Sequence, residues 1–284
     1  MVQKPIFSRV LIEVKYSTTW RGTMTDVKWV ALEESEGKIH VIELVDDMVK
    51  IKGLGVFNPA EKISSHEFGS SVKIGQKNLK ILQPGMVELN KGMKRRAQTI
   101  SSKDAGFMIA KLGIGTGDTV LEAGLGSGGL SLHLTKVLGN SGTLITVEPR
   151  DEHAEVGLEN LSRAKSCFQE FPNHHHISGS VEDKMGEVSK ISKSLDAIIL
   201  DLPNHESPIK ESSKLLRTGG RMACYCPVTS QMERAWSACE DNGMTVEWAG
   251  ELIDRQWGRA AKGGMRPVNG PFGHTAFLLI AVKK

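Results

Sequence analysis

A run of glycines stands between a strand pattern and a helical pattern in the segment VLEAGLGSGGLSLHL, residues 120–134. Glycine is costly inside regular structure, because it loses more backbone freedom on folding than any other residue. A strand, a glycine turn and a helix N-terminus together present backbone N–H groups and a positive helix end to a bound group. Gly124, Gly126 and Gly129 also match the G-x-G-x-x-G spacing of dinucleotide-binding turns. The segment therefore predicts a ligand-binding turn.

Two acidic residues lie where such a ligand would need them. Glu148 ends the next strand pattern, about twenty residues further on, where its carboxylate could accept hydrogen bonds from two ribose hydroxyls. Asp201 follows the apolar run 197–200 and precedes Leu202 and Pro203, so we expect its side chain at the carboxyl edge of a parallel sheet. The alternative for Asp201 is a helix cap or a turn residue.

The glycine spacing and Glu148 suit NAD(P) and S-adenosylmethionine equally well, and three features favour S-adenosylmethionine. The turn comes only after a long β-rich region, whereas many dehydrogenases begin with it. The dense GSGG at 126–129 suits an amino-acid moiety lying against the turn as well as a pyrophosphate. Asp201 adds a carboxylate that points towards the expected ligand crevice.

Positive charge clusters in two segments, KGMKRR at 91–96 and DRQWGRAAKGGMRP at 254–267. The second segment places basic residues around Trp257, which suits phosphate contact combined with base stacking. A solvated surface is the alternative for each segment. His274 follows the second segment and is either a substrate-pocket residue or a structural histidine. The run NHHH at 173–176 predicts no metal site, because adjacent residues of a strand point to alternate faces.

The elements that would position these residues fall into two regions. Residues 1–85 read as short alternating strands separated by glycines, which predicts a small antiparallel β-rich domain that serves as a scaffold or docks RNA. Residues 86–284 alternate strands with helices, which predicts an α/β fold with a largely parallel, doubly wound sheet. The predicted strands are 119–123, 143–148, 174–178, 196–201, 221–226, 246–251 and 275–282. One predicted helix begins at residue 129, and three others cover 152–168, 209–216 and 231–242.

Several motifs resemble those of the tRNA (adenine-N1) methyltransferases: VLEAGLGSGG, VEPR, LDLP, HTAFLLIAVKK and the segment MKRRAQTISSKDAGFMIAKLGI. The resemblance covers about residues 85–284 in order. It implies a class I S-adenosylmethionine-dependent methyltransferase fold (Rossmann-like) that methylates N1 of a T-loop adenosine of tRNA at position 58, or at 57 as well. It also implies a homotetramer.

The resemblance implies a set of site residues in this chain. Those expected to bind S-adenosylmethionine are Gln98, Ile100, Gly126, Ser127, Gly128, Gly129, Glu148, Val181 and Asp201. Among them the glycine turn would hold the methionine part, Glu148 the ribose and Val181 the adenine, and Asp201 would also be the catalytic carboxylate. We assign substrate binding to Lys94, Arg95, Arg96, Arg266 and His274. The chain departs from the family pattern at Ser101-Ser102, where the family often has an aromatic residue or histidine followed by proline. It also lacks the tryptophan that often follows D-L-P.

The composition fits an ordinary globular protein. The chain has 284 residues, 39% hydrophobic and 24% charged, and a formal net charge of +3. No apolar run reaches the length of about 20 residues that a bilayer requires. The N-terminus lacks the pattern of a signal peptide, so we expect a cytoplasmic protein that does not contact membranes. Two alternatives to a methyltransferase remain open at this point: a non-catalytic RNA-binding subunit of a methyltransferase complex and an NAD(P)-linked oxidoreductase.

Overall fold

The computed structural model describes residues 27–260, 263–268 and 273–284. The first part of the predicted β-rich region, residues 1–26, lies outside these residues. Within the described ranges, no helix is long and apolar enough to cross a membrane.

The region before residue 85 is built on a four-stranded antiparallel sheet with the order β2-β1-β6-β5. Its elements are β1 (Trp29–Glu33), β2 (Ile39–Glu43), β3 (Val49–Ile51), β4 (Gly55–Phe57), α1 (Pro59–Ile63), β5 (Ser71–Ile74) and β6 (Lys77–Leu82). Strands β3 and β4 form a separate hairpin. The antiparallel strands confirm the predicted β-rich character of this region, whereas α1 was not predicted. One side of this sheet packs into an apolar cluster of its own.

Two helices connect this region to the main sheet, α2 (Met86–Lys91) and α3 (Ser102–Leu112). Leu89 of α2 packs with Ala31 of β1, Val41 of β2 and Leu161, which lies further along the chain, in one apolar cluster. The two regions therefore share a packed interface, and residues 92–101 run along it. The domain boundary near residue 85 stays a prediction.

The second region is a seven-stranded sheet with helices on both faces. In chain order its elements are β7 (Thr119–Ala123), α4 (Gly129–Leu138), β8 (Thr143–Glu148), α5 (Asp151–Cys167), β9 (Asn173–Ser178), α6 (Val181–Ile191), β10 (Leu195–Leu200), α7 (Glu206–Ser212), β11 (Leu216–Cys226), α8 (Thr229–Asp241), β12 (Met244–Glu251), β13 (Trp257–Arg259), β14 (Met265–Pro267) and β15 (Phe277–Lys283). Strands β13 and β14 form a hairpin outside the sheet.

The strand order of the sheet, β12-β15-β11-β10-β7-β8-β9, confirms the predicted α/β class. Among the described strands of this sheet, β15 alone runs in the direction opposite to the other six. The chain leaves β7 towards β8 and β9 and later returns to the other side of β7 with β10. Such a reversal opens a crevice at the carboxyl ends of the two central strands, where open α/β sheets bind ligands.

Two of the differences between the predicted and the observed elements lie beside β10. Helix α6 was missed, although its apolar residues Val181, Met185 and Val188 follow the spacing of a helix face. The helix predicted through residues 209–216 ends at Ser212, because Leu216 already pairs with Leu195 at the start of β11. Here the pairing of β11 with β10 overrode the local helical pattern.

Candidate active site

The glycine turn that follows β7 lies at the crevice between β7 and β10. Gly124 has a φ of +95°, and a Cβ at this position would lie 2.2 Å from the carbonyl oxygen of Asp201. Gly128 has a φ of +78°, and a Cβ there would lie 3.2 Å from the carbonyl oxygen of Gly157 in α5. These glycines therefore let the turn fit closely between β10 and α5. The glycines of this turn are therefore explained by the close approach of its backbone to β10 and α5, and not only by its approach to a ligand.

Glu148 lies at the carboxyl end of β8 and is fully buried. Its Oε2 accepts a hydrogen bond of 3.0 Å from the backbone N–H of Gly126. The Nε–H of Arg150 donates to Oε1 at 2.8 Å, and the backbone N–H of Arg150 also donates to Oε1 at 3.2 Å. Burial by itself would raise the pKa of Glu148, but these donors outweigh it and hold the pKa below its usual value. The side chain is therefore a charged acceptor fixed against the glycine turn.

Asp201 follows β10 directly and faces the same crevice. Its backbone N–H donates to the carbonyl oxygen of Ala123 at 2.9 Å, which locks the residue beside the turn. Burial, followed by the charge of Glu148, raises the pKa of Asp201 to about 7, and the charge of Arg150 opposes this shift. Nothing in the described parts of the chain donates a side-chain hydrogen bond to its carboxylate.

A third acid, Glu122 on β7, completes a cluster of carboxyl groups that sequence reasoning missed. Its Oε2 accepts a hydrogen bond of 2.6 Å from the hydroxyl of Ser131. Burial raises the pKa of Glu122 to about 8, with contributions from the charges of Asp201 and Glu148. The signal was available, since an acidic residue inside an otherwise apolar central strand is unusual. The crevice thus contains three carboxyl groups and one guanidinium.

The segment before α3, which contains Gln98 and Ile100, crosses the glycine turn. Gln98 is exposed, whereas the side chain of Ile100 packs into the core. The hydroxyl of Ser127 accepts hydrogen bonds of 3.0 Å from the backbone N–H groups of Arg96 and Ala97. The side chain of Ser127 is therefore engaged within the chain. Cofactor contacts of these residues stay predictions.

Two further predicted cofactor residues begin helices at the same edge of the sheet. Gly129 opens α4, and a Cβ at this position would lie 2.8 Å from the Cβ of Thr99. Val181 opens α6 and is buried. The loop before α6 is tied to the site, because the N–H of Gly179 donates to the carbonyl oxygen of Glu148 at 3.2 Å.

Three of the four basic residues of the first segment, Lys94, Arg95 and Arg96, are assigned to substrate, and all three are exposed. Lys94 forms an ion pair of 2.6 Å with Glu159. Arg96 lies 3.9 Å from Glu152. Arg95 is exposed, and among the described residues no acidic group pairs with it. The linker, which we define as residues 91–98, therefore carries its cations on one side of the glycine turn.

The second basic segment forms the hairpin of β13 and β14. Trp257 pairs with Pro267 and is 58% exposed. Arg266 pairs with Gly258, one position along, so it lies on the opposite face of the hairpin from Trp257. The sequence pattern grouped these residues as one patch, but the hairpin divides them between two faces. Lys262 lies outside the described residues.

His274 lies at the base of the segment that carries this hairpin. Its Nδ1 is 2.8 Å from Oε2 of Glu251, and its Nε2 is 3.2 Å from the carbonyl oxygen of Pro227. Both partners are acceptors, so this geometry suits a protonated ring, and the bond to Glu251 raises the pKa of His274. The structure thus places His274 in an internal ion pair, and its contact with substrate stays a prediction.

The positions that depart from the family pattern have structural roles here. Ser101 is the N-cap of α3 and accepts a hydrogen bond from the N–H of Asp104. The hydroxyl of Ser102 lies 3.1 Å from Nε2 of His133. In the run after Asp201, the ring of His205 is buried, with its Nε2 3.4 Å from the carbonyl oxygen of Leu200.

The histidines of β9 contact a hydroxyl. Nε2 of His174 and Nδ1 of His176 lie 2.9 Å and 3.1 Å from Oγ1 of Thr146. Across the described ranges, no group of three or more histidine, cysteine, aspartate or glutamate residues is arranged to hold a metal ion.

The chain is similar to known tRNA methyltransferases. The family described as "tRNA methyltransferase complex GCD14 subunit" matches residues 79–262. The tRNA (adenine(57)-N(1)/adenine(58)-N(1))-methyltransferase TrmI of Methanocaldococcus jannaschii is 33% identical over 220 residues, covering 71% of this chain and 77% of the relative.

Two solved structures share the fold. A SAM-dependent O-methyltransferase from Thermotoga maritima superposes with a TM-score of 0.75 and 24% identity, covering 90% of this chain and 92% of that one. The tRNA (m1A58) methyltransferase TrmI of Aquifex aeolicus superposes with a TM-score of 0.66 and 21% identity, covering 90% of this chain and 96% of that one. Their fold is that of class I S-adenosylmethionine-dependent methyltransferases, as expected from the sequence. Because the family match extends over more than half of the chain, this protein belongs to the GCD14 family of tRNA methyltransferases.

Proposed function

We propose that this chain transfers the methyl group of S-adenosylmethionine to N1 of a T-loop adenosine in tRNA, with Asp201 as the catalytic carboxylate. The observation that carries this proposal is the crevice itself, where Asp201, Glu148 and Glu122 converge beside the glycine turn. The chain belongs to a tRNA methyltransferase family, and its relative from Methanocaldococcus jannaschii is named for methylation of adenines 57 and 58.

The charges of the crevice suit this cofactor better than a nicotinamide dinucleotide. Three carboxyl groups share the crevice with the guanidinium of Arg150. Burial raises the pKa values of Asp201 and Glu122, and the charge of Glu148 raises both further. S-adenosylmethionine brings a positive sulfonium and an ammonium group, which offset this negative charge. The pyrophosphate of NAD(P) would add two negative charges to it. The oxidoreductase alternative is therefore disfavoured on electrostatic grounds.

The residues of the site divide the binding of the cofactor among them. The backbone of the turn at 126–128 would hold the amino-acid part, and the carboxylate of Glu148 would accept from the ribose hydroxyls. Val181 would border the adenine. When bound, S-adenosylmethionine supplies an activated methyl group, so the protein mainly has to align the nucleophile with it.

Asp201 meets the chemical demand of adenine N1. Methylation at N1 makes the base a cation, and a carboxylate beside it can accept a hydrogen bond from the N6 amine and stabilise the charge. The Asp201 carboxylate receives no hydrogen bond from another side chain in the described part of the chain, so it is free to accept this one. A non-catalytic subunit would not need this carboxylate beside the glycine turn.

A T-loop adenosine is buried in the folded tRNA, so the base must be exposed before it reacts. We propose that the linker and the β13–β14 hairpin hold the phosphates around it during this step. Lys94, Arg95, Arg96 and Arg266 supply the positive charge. We further propose a cytoplasmic homotetramer, in which neighbouring subunits share one tRNA. Light scattering at micromolar concentration tests the assembly, and a stable monomer would contradict it.

The direct test is mass spectrometry of nucleosides from a tRNA transcript incubated with the protein and S-adenosylmethionine. We expect 1-methyladenosine. Transcripts in which A57 or A58 is replaced by guanosine locate the modified position, since the product disappears only when its own adenosine is lost. Absence of 1-methyladenosine, together with tight binding of NADH, would overturn the proposal.

A further inference from the structure

The side chain of Asn160 on α5 joins the linker to the glycine turn. Its Oδ1 accepts from the N–H of Lys94 at 3.1 Å, and its Nδ2 donates to the carbonyl oxygens of Lys94 at 2.8 Å and Ser127 at 2.9 Å. Only 2% of Asn160 is exposed. Both N–H groups of this amide are thus used, one on each of two segments.

Ser127 reinforces the same connection from the turn. Its hydroxyl accepts from the backbone N–H groups of Arg96 and Ala97, both at 3.0 Å. The same hydroxyl donates to the carbonyl oxygen of Ala97 at 3.3 Å. Five hydrogen-bonding groups of the linker, from Lys94 to Ala97, are therefore satisfied by only two side chains. Because buried polar groups are costly when unpaired, the linker has one well-paired position, and this position depends on the shape of the turn.

The turn that receives these bonds is the part of the site expected to contact the cofactor. Ser127 stands between Gly126 and Gly128, which have φ values of +52° and +78°. A ligand bound to the turn backbone would favour the turn conformation to which it binds more tightly. The difference between its affinities for the two conformations sets how far the equilibrium shifts. The conformation selected by the cofactor would then be the one in which Ser127 and Asn160 hold the linker.

The linker also carries three of the cations assigned to tRNA, and two of them lie against acidic residues of α5. Glu159 pairs with Lys94, and Glu152 lies near Arg96. We propose that Asn160 is a positioning residue that couples the two ligands: cofactor binding at the turn fixes the linker, and the fixed linker binds tRNA more tightly. This inference rests on the proposed function. Neither the glycine motif nor the basic motif contains Asn160.

The test measures tRNA affinity with and without saturating S-adenosylhomocysteine. We expect the product analogue to tighten tRNA binding to the wild-type protein at least about fivefold, within the usual range of coupling between sites. In Asn160→Ala the factor should fall below about twofold, because the backbone groups of the linker lose their partner. Ser166→Ala, an exposed change on the same helix, should keep the wild-type factor.

A purely structural role for Asn160 would lower the melting temperature and leave the coupling factor unchanged, and that result would overturn the inference. Equal tRNA affinity of the wild-type protein with and without the analogue would also overturn it. If Asn160→Ala does not fold, Ser127→Ala decides, since it removes the bonds to Arg96 and Ala97 while Asn160 remains. Active methylation without coupling refutes only this inference, whereas absence of both tRNA binding and methylation refutes the proposed function as well.

Discussion

The crevice at the carboxyl edge of the sheet and the two basic segments differ in how the chain positions their charged groups. In the crevice, Glu148 is fully buried and receives hydrogen bonds from the turn and from Arg150. On the surface, Arg95 and the residues of the hairpin are exposed. Buried charges interact strongly and shift each other's pKa, whereas exposed charges are screened by solvent and salt.

This difference indicates which residues act singly and which act together. A single carboxyl group in the crevice can determine catalysis or cofactor binding, because no solvent replaces it. The basic residues contribute to tRNA binding as a sum of small terms. The expected effects of substitution should therefore decrease from the crevice to the surface.

The largest effect is expected for Asp201→Asn. The amide keeps the shape of the side chain but has no negative charge to stabilise the methylated base. The single-turnover rate at saturating cofactor should fall about 10²-fold or more, the usual scale for a general base or an electrostatic group. If Asp201 were only a turn residue, the asparagine would keep most of the activity. A rate within a few-fold of wild type would remove Asp201 from the mechanism.

The next effect is expected for Glu148→Gln in cofactor binding. The substitution removes the charged acceptor proposed for the ribose and leaves Arg150 without its ion-pair partner. Hydrogen bonds to charged groups contribute about 1.5–3 kcal/mol, so the affinity for S-adenosylhomocysteine should fall about 10- to 100-fold. Calorimetry measures this directly. Glu159→Gln, which alters the ion pairs with Lys94 and Arg163 outside the crevice, is the matched control and should bind the analogue normally.

The sequence predicted the strands and turns of the crevice better than the side-chain contacts between them. The bounds of β7 and β8 match the predicted strands, because buried central strands are apolar runs that end at glycine or at a charged residue. The positions of the glycine turn and Asp201 at strand ends followed from the same pattern. The fold class therefore needed no information beyond local periodicity and motif order.

The connections between these elements could not be predicted. Asn160 is one polar residue among many on α5. Only the packing of the linker against this helix lets its amide form hydrogen bonds to both the linker and the glycine turn. Likewise, the pairing of Trp257 with Pro267 separates Trp257 from Arg266, although the two are close in sequence. Contacts of this kind depend on which strand residues pair and on which elements pack together. A local pattern of residue types does not determine either.

The pH dependence of the reaction should report the titration of the crevice. The pKa of Asp201 is raised to about 7 in the free protein, and the ionised form is the proposed active one. Hence kcat/KM should rise about tenfold per pH unit up to about pH 7 and then level off. The corresponding limb of kcat should lie at lower pH, because a bound sulfonium favours the carboxylate. A pH profile that is flat between pH 5 and pH 8 would contradict this assignment.

Stability provides an independent check of the same pKa. The usual pKa of the side chain is 3.8, so between about pH 4 and pH 7 the folded protein retains a proton that the unfolded chain has released. The contribution of Asp201 to the free energy of unfolding should therefore decrease as the pH rises through this range. Relative to wild type, Asp201→Asn should be more stable at pH 8 than at pH 5, as measured by urea unfolding without ligand.

The smallest effects are expected for single basic residues on the surface. Arg95→Ala and Arg266→Ala should each weaken tRNA binding only a few-fold, and each should reduce the slope of log affinity against log salt by about 1, because one phosphate contact is lost. Lys80→Ala, at an exposed position on β6, is the control and should change neither quantity. Because Arg266 and Trp257 lie on opposite faces of the hairpin, Trp257→Ala should leave the salt slope unchanged even where it weakens binding by loss of stacking. A single arginine substitution that abolished tRNA binding at moderate salt would instead show that this surface contains one dominant contact, and the contrast between crevice and surface would fail.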